Sequence, residues 1–267
     1  MAKLELDKYY TPVEVAEYCV NKTIEIIGDE NISCFLEPSA GNGVFLNLLD
    51  KDKIAYDISP ESEGIQKADF LELELEYKKG RCIIGNPPFG KGNYLSVKFF
   101  KKSITLGDYV SFIQPISQYK NNMYMYEFDM IHSEDLGIIE FSGIKNIHCC
   151  LNIYKRNENG YNKKPKFDLK DVTLKGVATG KSRNDKIPDK YDLSICSFGA
   201  SIGKKTEYHG QYCQQTYVTV HKEEYKQRVI DLILNTDWKK EYGMTATPKI
   251  KHWMIYKKLK EEIKGIE

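Results

Sequence analysis

The sequence of 267 residues has no long hydrophobic run and almost no excess of either charge. No apolar segment approaches the roughly 18 residues that a transmembrane helix requires, so we expect a protein that does not span a membrane. The first residues also lack the apolar core of a secretory signal, which favours a cytoplasmic location. Lysine and arginine total 39 against 38 aspartate and glutamate residues, so the chain as a whole is not a polycation.

Cysteine is present, but the spacing that would give it a structural role is missing. The seven cysteines are an odd number and include no Cys-x-x-Cys pair, which favours a reduced compartment over a disulfide scaffold. The run His148-Cys149-Cys150 contains metal-ligating residue types. Successive strand residues point to opposite faces, however, and no second ligand cluster follows. We therefore predict no metal site there and a buried strand instead.

The balanced total charge conceals two halves of opposite sign. Residues 1–154 hold 15 basic and 23 acidic side chains, whereas residues 155–267 hold 24 basic and 15 acidic ones. The composition changes at the same place, because residues 157–166 are rich in Asn, Gly and Lys, as is typical of a linker. We therefore predict two modules, residues 1–156 and 157–267, the second with a polyanion as its partner. A solvated lysine-rich surface without a partner is the alternative.

Short apolar runs alternate with helical patterns through the first module. Seven runs are typical of strands, at 33–37, 53–57, 65–68, 81–85, 109–113, 136–141 and 149–154. Helices are predicted after the N-cap Thr11, over 44–49 and over 94–106. This alternation predicts an α/β fold, a doubly wound, mainly parallel seven-stranded sheet. In the second module, strands at 171–174, 193–198 and 217–220 and helices at 223–234 and 248–263 indicate a smaller α+β fold.

The first predicted strand ends in an acid and a glycine turn. Glu37-Pro38-Ser39-Ala40-Gly41-Asn42-Gly43 leads into the next predicted helix, and glycines in such a turn let the backbone lie against a ligand. The turn lacks the Gly-x-Gly-x-x-Gly pattern because position 46 is Leu, which disfavours a pyrophosphate site. An acid before the turn would repel phosphate, but it suits a ligand with an ammonium or sulfonium charge.

Two further acids close the strands that follow. Asp57 ends the second strand, where a carboxylate can accept both hydroxyl groups of a ribose. Asp69-Phe70 follows the third strand and offers an acceptor for an adenine amino group and a ring beside the base. Together with the glycine turn, these positions predict a binding site for a nucleoside-type cofactor.

The fourth strand ends in Asn86-Pro87-Pro88-Phe89, the most specific motif of the chain. Proline has a fixed φ and no N–H, so the carbonyl groups of Asn86 and Pro87 stay outside the sheet ladder. With the Asn86 side chain, they are available to accept hydrogen bonds from one amino group. Phe89 supplies a face on which a planar base can stack. A strand-ending turn without a catalytic role is the alternative.

In this order, the motifs resemble those of the N6-adenine DNA methyltransferases, which are class I enzymes dependent on S-adenosyl-L-methionine. The residues that carry the resemblance are Tyr10-Thr11-Pro12, the glycine turn, Asp57, Asp69-Phe70 and Asn86-Pro87-Pro88-Phe89. The Thr-Pro motif ahead of the glycine turn is similar to their gamma arrangement, in which target recognition follows the catalytic part. The resemblance covers roughly residues 9–156 and implies a Rossmann-like methyltransferase fold.

The resemblance also implies a role for each matching residue. Those that would bind S-adenosyl-L-methionine are Tyr10, Thr11, Pro12, Glu37, Ala40, Gly41, Gly43, Asp57, Asp69, Phe70 and Asn86. The first three would lie near its methionine end, the next four along methionine and ribose, Asp57 at the ribose hydroxyls, and Asp69 and Phe70 at the adenine. The catalytic residues would be Asn86, Pro87, Pro88 and Phe89, which would hold the target amino group and stack on a flipped base.

The predicted activity is transfer of a methyl group to the N6 amino group of adenine in a specific sequence of double-stranded DNA, after base flipping and without a metal. Enzymes that act on RNA or on a protein glutamine also use Asn-Pro-Pro, since both substrates present a planar amino nitrogen. Phe89, the Thr-Pro motif and the basic second module favour DNA. A further alternative is a non-catalytic DNA-binding subunit of a modification complex.

Overall fold

The computed structural model describes residues 9–141, 145–180, 183–184, 186–244 and 248–267. The chain divides into two compact units, Met1–Lys164 and Pro165–Glu267. The sequence-predicted boundary between residues 156 and 157 falls inside the first unit. Residues that follow it pack there, because the Tyr161 hydroxyl donates to the Ile104 carbonyl and the Asn162 amide donates to the Asp129 carboxylate.

The first unit is built on one seven-stranded sheet. Its strands are β1 (Cys34–Glu37), β2 (Lys53–Asp57), β3 (Ile65–Lys67), β4 (Arg81–Gly85), β5 (Tyr109–Pro115), β6 (Asp129–Phe141) and β7 (Lys145–Lys155). They lie in the order β3-β2-β1-β4-β5-β7-β6. The first five strands pair in parallel, and β7 pairs antiparallel with both β5 and β6.

Helices cover both faces of this sheet. Because successive strand residues point to opposite faces, Phe35 of β1 packs in the core that contains α1 (Val13–Ile27), and Leu36 packs in the core that contains α2 (Tyr94–Ser103). All four residues of β1 are buried, as expected for a strand covered on both sides. The structure therefore confirms the predicted doubly wound, mainly parallel sheet.

Two local predictions in this unit were wrong. The predicted helix over 44–49 is a series of turns with a single 3-10 turn at Leu46–Leu48. Phe45 and Leu49 pack in the core beside α1, whereas Leu46 packs in a separate cluster, so these side chains do not share one helical face. At α1 the N-cap is Pro12, with no side-chain cap, and the Thr11 hydroxyl has another partner, described below.

In its described residues, the second unit combines a four-stranded antiparallel sheet with three helices. The strands are β8 (Val172–Gly180), β9 (Arg183–Asn184), β10 (Leu193–Cys196) and β11 (Gln214–Val220), in the order β10-β11-β8-β9. The helices are α3 (Glu223–Asn235), α4 (Trp238–Glu241) and α5 (His252–Glu262). Val218 of the sheet shares a core with Val229 of α3 and Ile255 of α5. The predicted smaller α+β module is confirmed, with β8 and β11 longer than predicted.

The cysteines are free thiols, and six of the seven are buried. Burial raises the pKa of Cys149 to about 12 and that of Cys150 well above its usual value, so both thiols stay protonated at neutral pH. Within the described ranges, no group of three or more His, Cys, Asp or Glu side chains could hold a metal ion. Among the helices of those ranges, none combines the length and the hydrophobicity that a membrane-spanning segment needs.

Candidate functional site

The predicted site residues gather at one edge of the seven-stranded sheet. Glu37 is the last residue of β1, Asp57 is the last of β2, and Asn86 directly follows β4. Because β2, β1 and β4 are neighbours and parallel, their carboxyl ends lie side by side. Asp69 follows the end of the edge strand β3. This edge is where open α/β sheets bind their ligands.

The glycine turn is tied to the end of β2. The Gly41 N–H donates to one carboxylate oxygen of Asp57 over 2.8 Å, and the Ser59 N–H donates to the other over 2.7 Å. Gly41 has a φ of +51°, and a Cβ atom there would lie 3.1 Å from the Tyr10 ring. Gly43 also has a positive φ, of +81°. The turn therefore requires glycine for its conformation and, at Gly41, for the aromatic ring that covers it.

Glu37 is almost completely buried, with 1% of its surface exposed. Among the described residues, nothing bonds its Oε2 atom. Burial is the main cause that raises the pKa of Glu37 to about 8; the nearby Asp57 charge raises it further, while the Leu46 N–H acts in the opposite direction. A cation beside this buried group would stabilise its ionised, carboxylate form, so the site favours a positively charged ligand.

Asn86 is oriented by the segment that precedes α1. Its Nδ2 atom donates to the Thr11 hydroxyl over 3.2 Å and more weakly to the Tyr9 carbonyl over 3.5 Å. This orientation leaves Oδ1 buried and without a partner among the described residues. Among the described residues, no backbone N–H donates to the Pro87 carbonyl. Two consecutive residues thus each retain one acceptor.

The rest of this motif joins the site to α2. Phe89 is half-buried and packs partly against the core beside α1. Its carbonyl accepts from the Leu95 N–H over 3.2 Å, and the Pro88 carbonyl accepts from the Ser96 hydroxyl over 3.5 Å. Pro87 itself is buried. The motif is therefore held at both ends, by β4 and by the first turn of α2.

Asp69 and Phe70 have different environments. Asp69 is exposed, and its Oδ1 atom accepts from the Leu71 N–H over 3.0 Å. Phe70 is only 2% exposed and stacks on Phe99 of α2, with ring centroids 5.4 Å apart. The structure therefore gives Phe70 a place in the core instead of the open ring face that the sequence suggested. Asp69 remains the predicted adenine contact.

Three contacts in this site were not anticipated. Ser39 donates to the Asn86 carbonyl over 3.4 Å, Ser59 donates to Asp57, and Tyr9 packs edge-on against Phe141. Only the Ser59 contact has a local signal, since an aspartate commonly accepts from the N–H two residues later. The others join segments that are distant in the chain.

The sequence matches no protein-family model and no curated protein. Among solved structures, it is similar to a candidate RNA methyltransferase from Pyrococcus horikoshii, with 17% identity, a TM-score of 0.46, and coverage of 58% of this chain and 89% of that one. The 23S rRNA methyltransferase ErmE has 13% identity and a TM-score of 0.43, with coverage of 57% of this chain and 70% of that one. A candidate class I S-adenosylmethionine-dependent methyltransferase from Listeria monocytogenes has 12% identity and a TM-score of 0.43, with coverage of 62% of this chain and 66% of that one.

At such identities and TM-scores, these likenesses carry no information about activity. The fold assignment rests on the strand order of the chain itself, β3-β2-β1-β4-β5-β7-β6. What distinguishes the site is a pair of buried acceptors, Glu37 Oε2 and Asn86 Oδ1, at the ends of adjacent parallel strands.

Proposed function

We propose that this chain transfers the methyl group of S-adenosyl-L-methionine to the N6 amino group of adenine in double-stranded DNA. The observation that carries the proposal is the pair of buried, unpartnered acceptors at Glu37 and Asn86. Buried polar atoms are normally hydrogen-bonded, so an unpartnered pair indicates contacts that ligands complete. Glu37 suits a cation, and Asn86 suits an amino group that has two hydrogens to donate.

The residues at the ends of β1 and β2 fit the proposed cofactor. Glu37 would face its positive charge, and the glycine turn lets the backbone approach it closely. Asp57 would accept the ribose hydroxyls, because a carboxylate has about four lone-pair sites and, among the described residues, Gly41 and Ser59 use two of them. When bound, S-adenosyl-L-methionine would supply a methyl group on a sulfonium sulfur. The sulfur would become a neutral thioether, and the acceptor nitrogen would gain the methyl group and release one proton to water.

Asn86 and Pro87 would act on the target nitrogen. The lone pair of an adenine amino group is delocalised into the ring, which makes the nitrogen a poor nucleophile. Asn86 Oδ1 and the Pro87 carbonyl would accept its two hydrogens and oppose the positive charge that develops on the nitrogen. Because that charge is larger in the transition state, the two acceptors stabilise the transition state more than the ground state.

Thr11 would serve as a positioning residue for this step. An asparagine amide can present either its oxygen or its nitrogen to a ligand. With Nδ2 held by Thr11 and by the Tyr9 carbonyl, the oxygen remains for the target. Phe89 would stack on the adenine, which must leave the duplex to reach this edge of the sheet.

Two features support DNA over RNA or a protein glutamine as the substrate: position 89 is Phe, and a Thr-Pro motif precedes the glycine turn. The second unit, residues 165–267, holds 20 basic and 14 acidic side chains, which suits a polyanion and so favours a nucleic acid over a protein.

Label transfer to a mixed set of acceptors tests this function. The purified full chain would be incubated with S-adenosyl-L-methionine carrying a deuterated methyl group and with unmethylated genomic DNA, total RNA or a protein extract. We expect the label in N6-methyl-2′-deoxyadenosine after digestion and mass spectrometry. Label found only in RNA nucleosides or in glutamine would overturn the proposed substrate. Binding of DNA without any transfer would favour a non-catalytic subunit.

Replacing Asp57 tests the cofactor site separately. Asp57→Ala removes an acceptor of two ribose hydrogen bonds, each of which is worth about 1.5–3 kcal/mol when the acceptor is charged. We expect the affinity for S-adenosyl-L-methionine to fall roughly 100- to 10,000-fold by calorimetry, with DNA affinity unchanged. Asp52, an exposed acid just before β2, provides the matched control, and Asp52→Ala should bind the cofactor normally. Equal affinities for the two variants would show that Asp57 does not hold the ribose.

A further inference from the structure

One face of the C-terminal sheet changes character along its strands. The paired residues on this face of β8 and β11 are, in order, Val172–Val220, Leu174–Val218, Gly176–Thr216 and Ala178–Gln214. The first two pairs lie in the core with α3 and α5. The next two pairs are small or polar, although alternate residues of a strand share one face and would be expected to remain apolar. This end of the sheet face therefore lies outside the core formed with α3 and α5.

This open end is the floor of a cleft of about 280 Å³. One wall is the segment 249–252, which leads into α5, and another is Ser197. The Ile250 N–H donates to the Ser197 carbonyl over 3.0 Å and holds the two walls together. A Cβ atom at Gly176 would lie 3.3 Å from His252 Nε2, so this glycine within a strand permits the wall to close over the floor.

The chemistry of the cleft is that of hydrogen-bond donors. Its lining includes Lys249, Lys251 and His252 together with the polar side chains of Gln214 and Thr216, and no acidic residue is among the described residues that line it. Both lysines are exposed. Burial lowers the pKa of His252, so near neutral pH the ring offers a hydrogen bond without adding charge.

We infer that this cleft binds a phosphodiester group of duplex DNA, with Lys249 and Lys251 at the phosphate and Gln214 as a neutral donor. The inference rests on the proposed function, which makes DNA the polyanion. Phosphate oxygens commonly receive bonds from Lys, Ser, Thr and Gln side chains, and such contacts fix how a protein sits on the duplex. The volume lies near the lower limit of about 300 Å³ for small-molecule pockets, which suits one backbone group better than a whole nucleotide cofactor.

The test compares variants of the full chain by fluorescence anisotropy with a 30-base-pair duplex of random sequence at several salt concentrations. For Lys249→Ala/Lys251→Ala, we expect roughly tenfold weaker binding, and the slope of log K against log salt should fall in magnitude by about 2. Lys260→Ala/Lys264→Ala removes the same charge at the opposite end of α5 and should keep the slope. Gln214→Leu should weaken binding with the slope unchanged, because it removes a neutral donor.

The outcomes separate this inference from the proposed function. If the wild-type chain methylates DNA and the cleft variants bind DNA as the control does, the cleft is not a phosphate site, and the proposed function stands. If the wild-type chain binds and methylates only RNA, the proposed DNA substrate is overturned, and the inference fails with it. Cofactor affinity should be equal in all variants, and its loss in a cleft variant would show damage to the fold instead of to a DNA contact.

Discussion

Asn86→Ala should reduce methyl transfer by about 100- to 1,000-fold or more, while the affinity for S-adenosyl-L-methionine changes little. The substitution removes the buried Oδ1 acceptor, and loss of one such preorganised group commonly costs that much in rate. The cofactor keeps its contacts at Glu37 and Asp57. Single-turnover rates with hemimethylated and unmethylated DNA would measure the first effect, and calorimetry would measure the second. Equal losses of rate and of cofactor affinity would show that the roles are misassigned.

Variants of Thr11 test how the orientation of the Asn86 side chain affects the rate when Asn86 itself is kept. Thr11→Val removes the hydroxyl that accepts from Asn86 Nδ2 but keeps the shape of the side chain. The amide then loses one of the two bonds that orient it, so we expect kcat to fall roughly tenfold, with the KM for DNA little changed. Thr11→Ser restores the hydroxyl and should restore the rate. A Ser variant as slow as the Val variant would indicate that the hydroxyl does not position Asn86.

Glu37→Gln should stabilise the cofactor-free protein at high pH and leave its stability unchanged at low pH. Burial raises the pKa of Glu37 from 4.5 to about 8, so between these values the folded protein keeps a proton that the unfolded chain has released. Wild-type stability therefore falls as pH rises through this window. Glutamine resembles the protonated carboxyl at every pH. At 1.36 kcal/mol per pH unit, the difference approaches about 4 kcal/mol by pH 8.5.

Urea denaturation of both proteins at pH 5.0 and pH 8.5 would measure this difference, with Asp52→Asn as the control for removing an exposed carboxylate. The Gln variant should have a higher urea midpoint at pH 8.5 and a similar one at pH 5.0. A variant that is less stable than wild type at pH 8.5 would mean that Glu37 is ionised and stabilising in the free protein, against the environment described here. Residues placed for function commonly lower the stability of the folded protein, as a buried carboxylate does here at high pH.

The same group should couple cofactor binding to a proton. An ammonium or sulfonium charge beside Glu37 favours the ionised carboxylate, so binding near pH 7 should release up to one proton. The affinity of wild-type protein should rise with pH up to about 8, the value to which burial raises the pKa of Glu37. Glu37→Gln should bind more weakly and lose this dependence. Calorimetry in buffers of different ionisation enthalpy measures the proton, and a wild-type value of zero would remove Glu37 from the cofactor contacts.

The central strands of the first unit, β1, β4 and β5, were predictable because they are buried on both faces. Such strands are short continuous apolar runs. Acids, glycine or proline end these strands and the neighbouring β2, as at Glu37, Asp57 and Gly85-Asn86. The same reasoning placed the polar residues at one edge of the sheet. It misplaced Phe70, because Phe70 packs against Phe99 of the distant helix α2, and the residues next to Phe70 in the sequence do not indicate this contact.

Contacts across long sequence separations explain most of what was missed. Thr11 is of a residue type that commonly caps helices, but its hydroxyl accepts a hydrogen bond from Asn86, 75 residues away. The predicted strand at 171–174 extends to Gly180. On the face that carries Val172 and Leu174, large apolar side chains stop at Gly176, because this part of the face forms the floor of the cleft. In both cases, a residue that departs from the pattern of its own helix or strand makes a contact with a distant segment or lines the cleft.

A crystal structure of the full chain with sinefungin, an analogue of the cofactor with an amine in place of the sulfonium methyl group, would test the proposed site most directly. We expect the charged end of the analogue to lie within hydrogen-bond distance of Glu37 and its ribose to contact Asp57. Asn86 Oδ1 and the Pro87 carbonyl should face the same space. An analogue bound away from the ends of β1 and β2, or acceptors at Asn86 and Pro87 that are turned away from it or covered by other atoms, would contradict it.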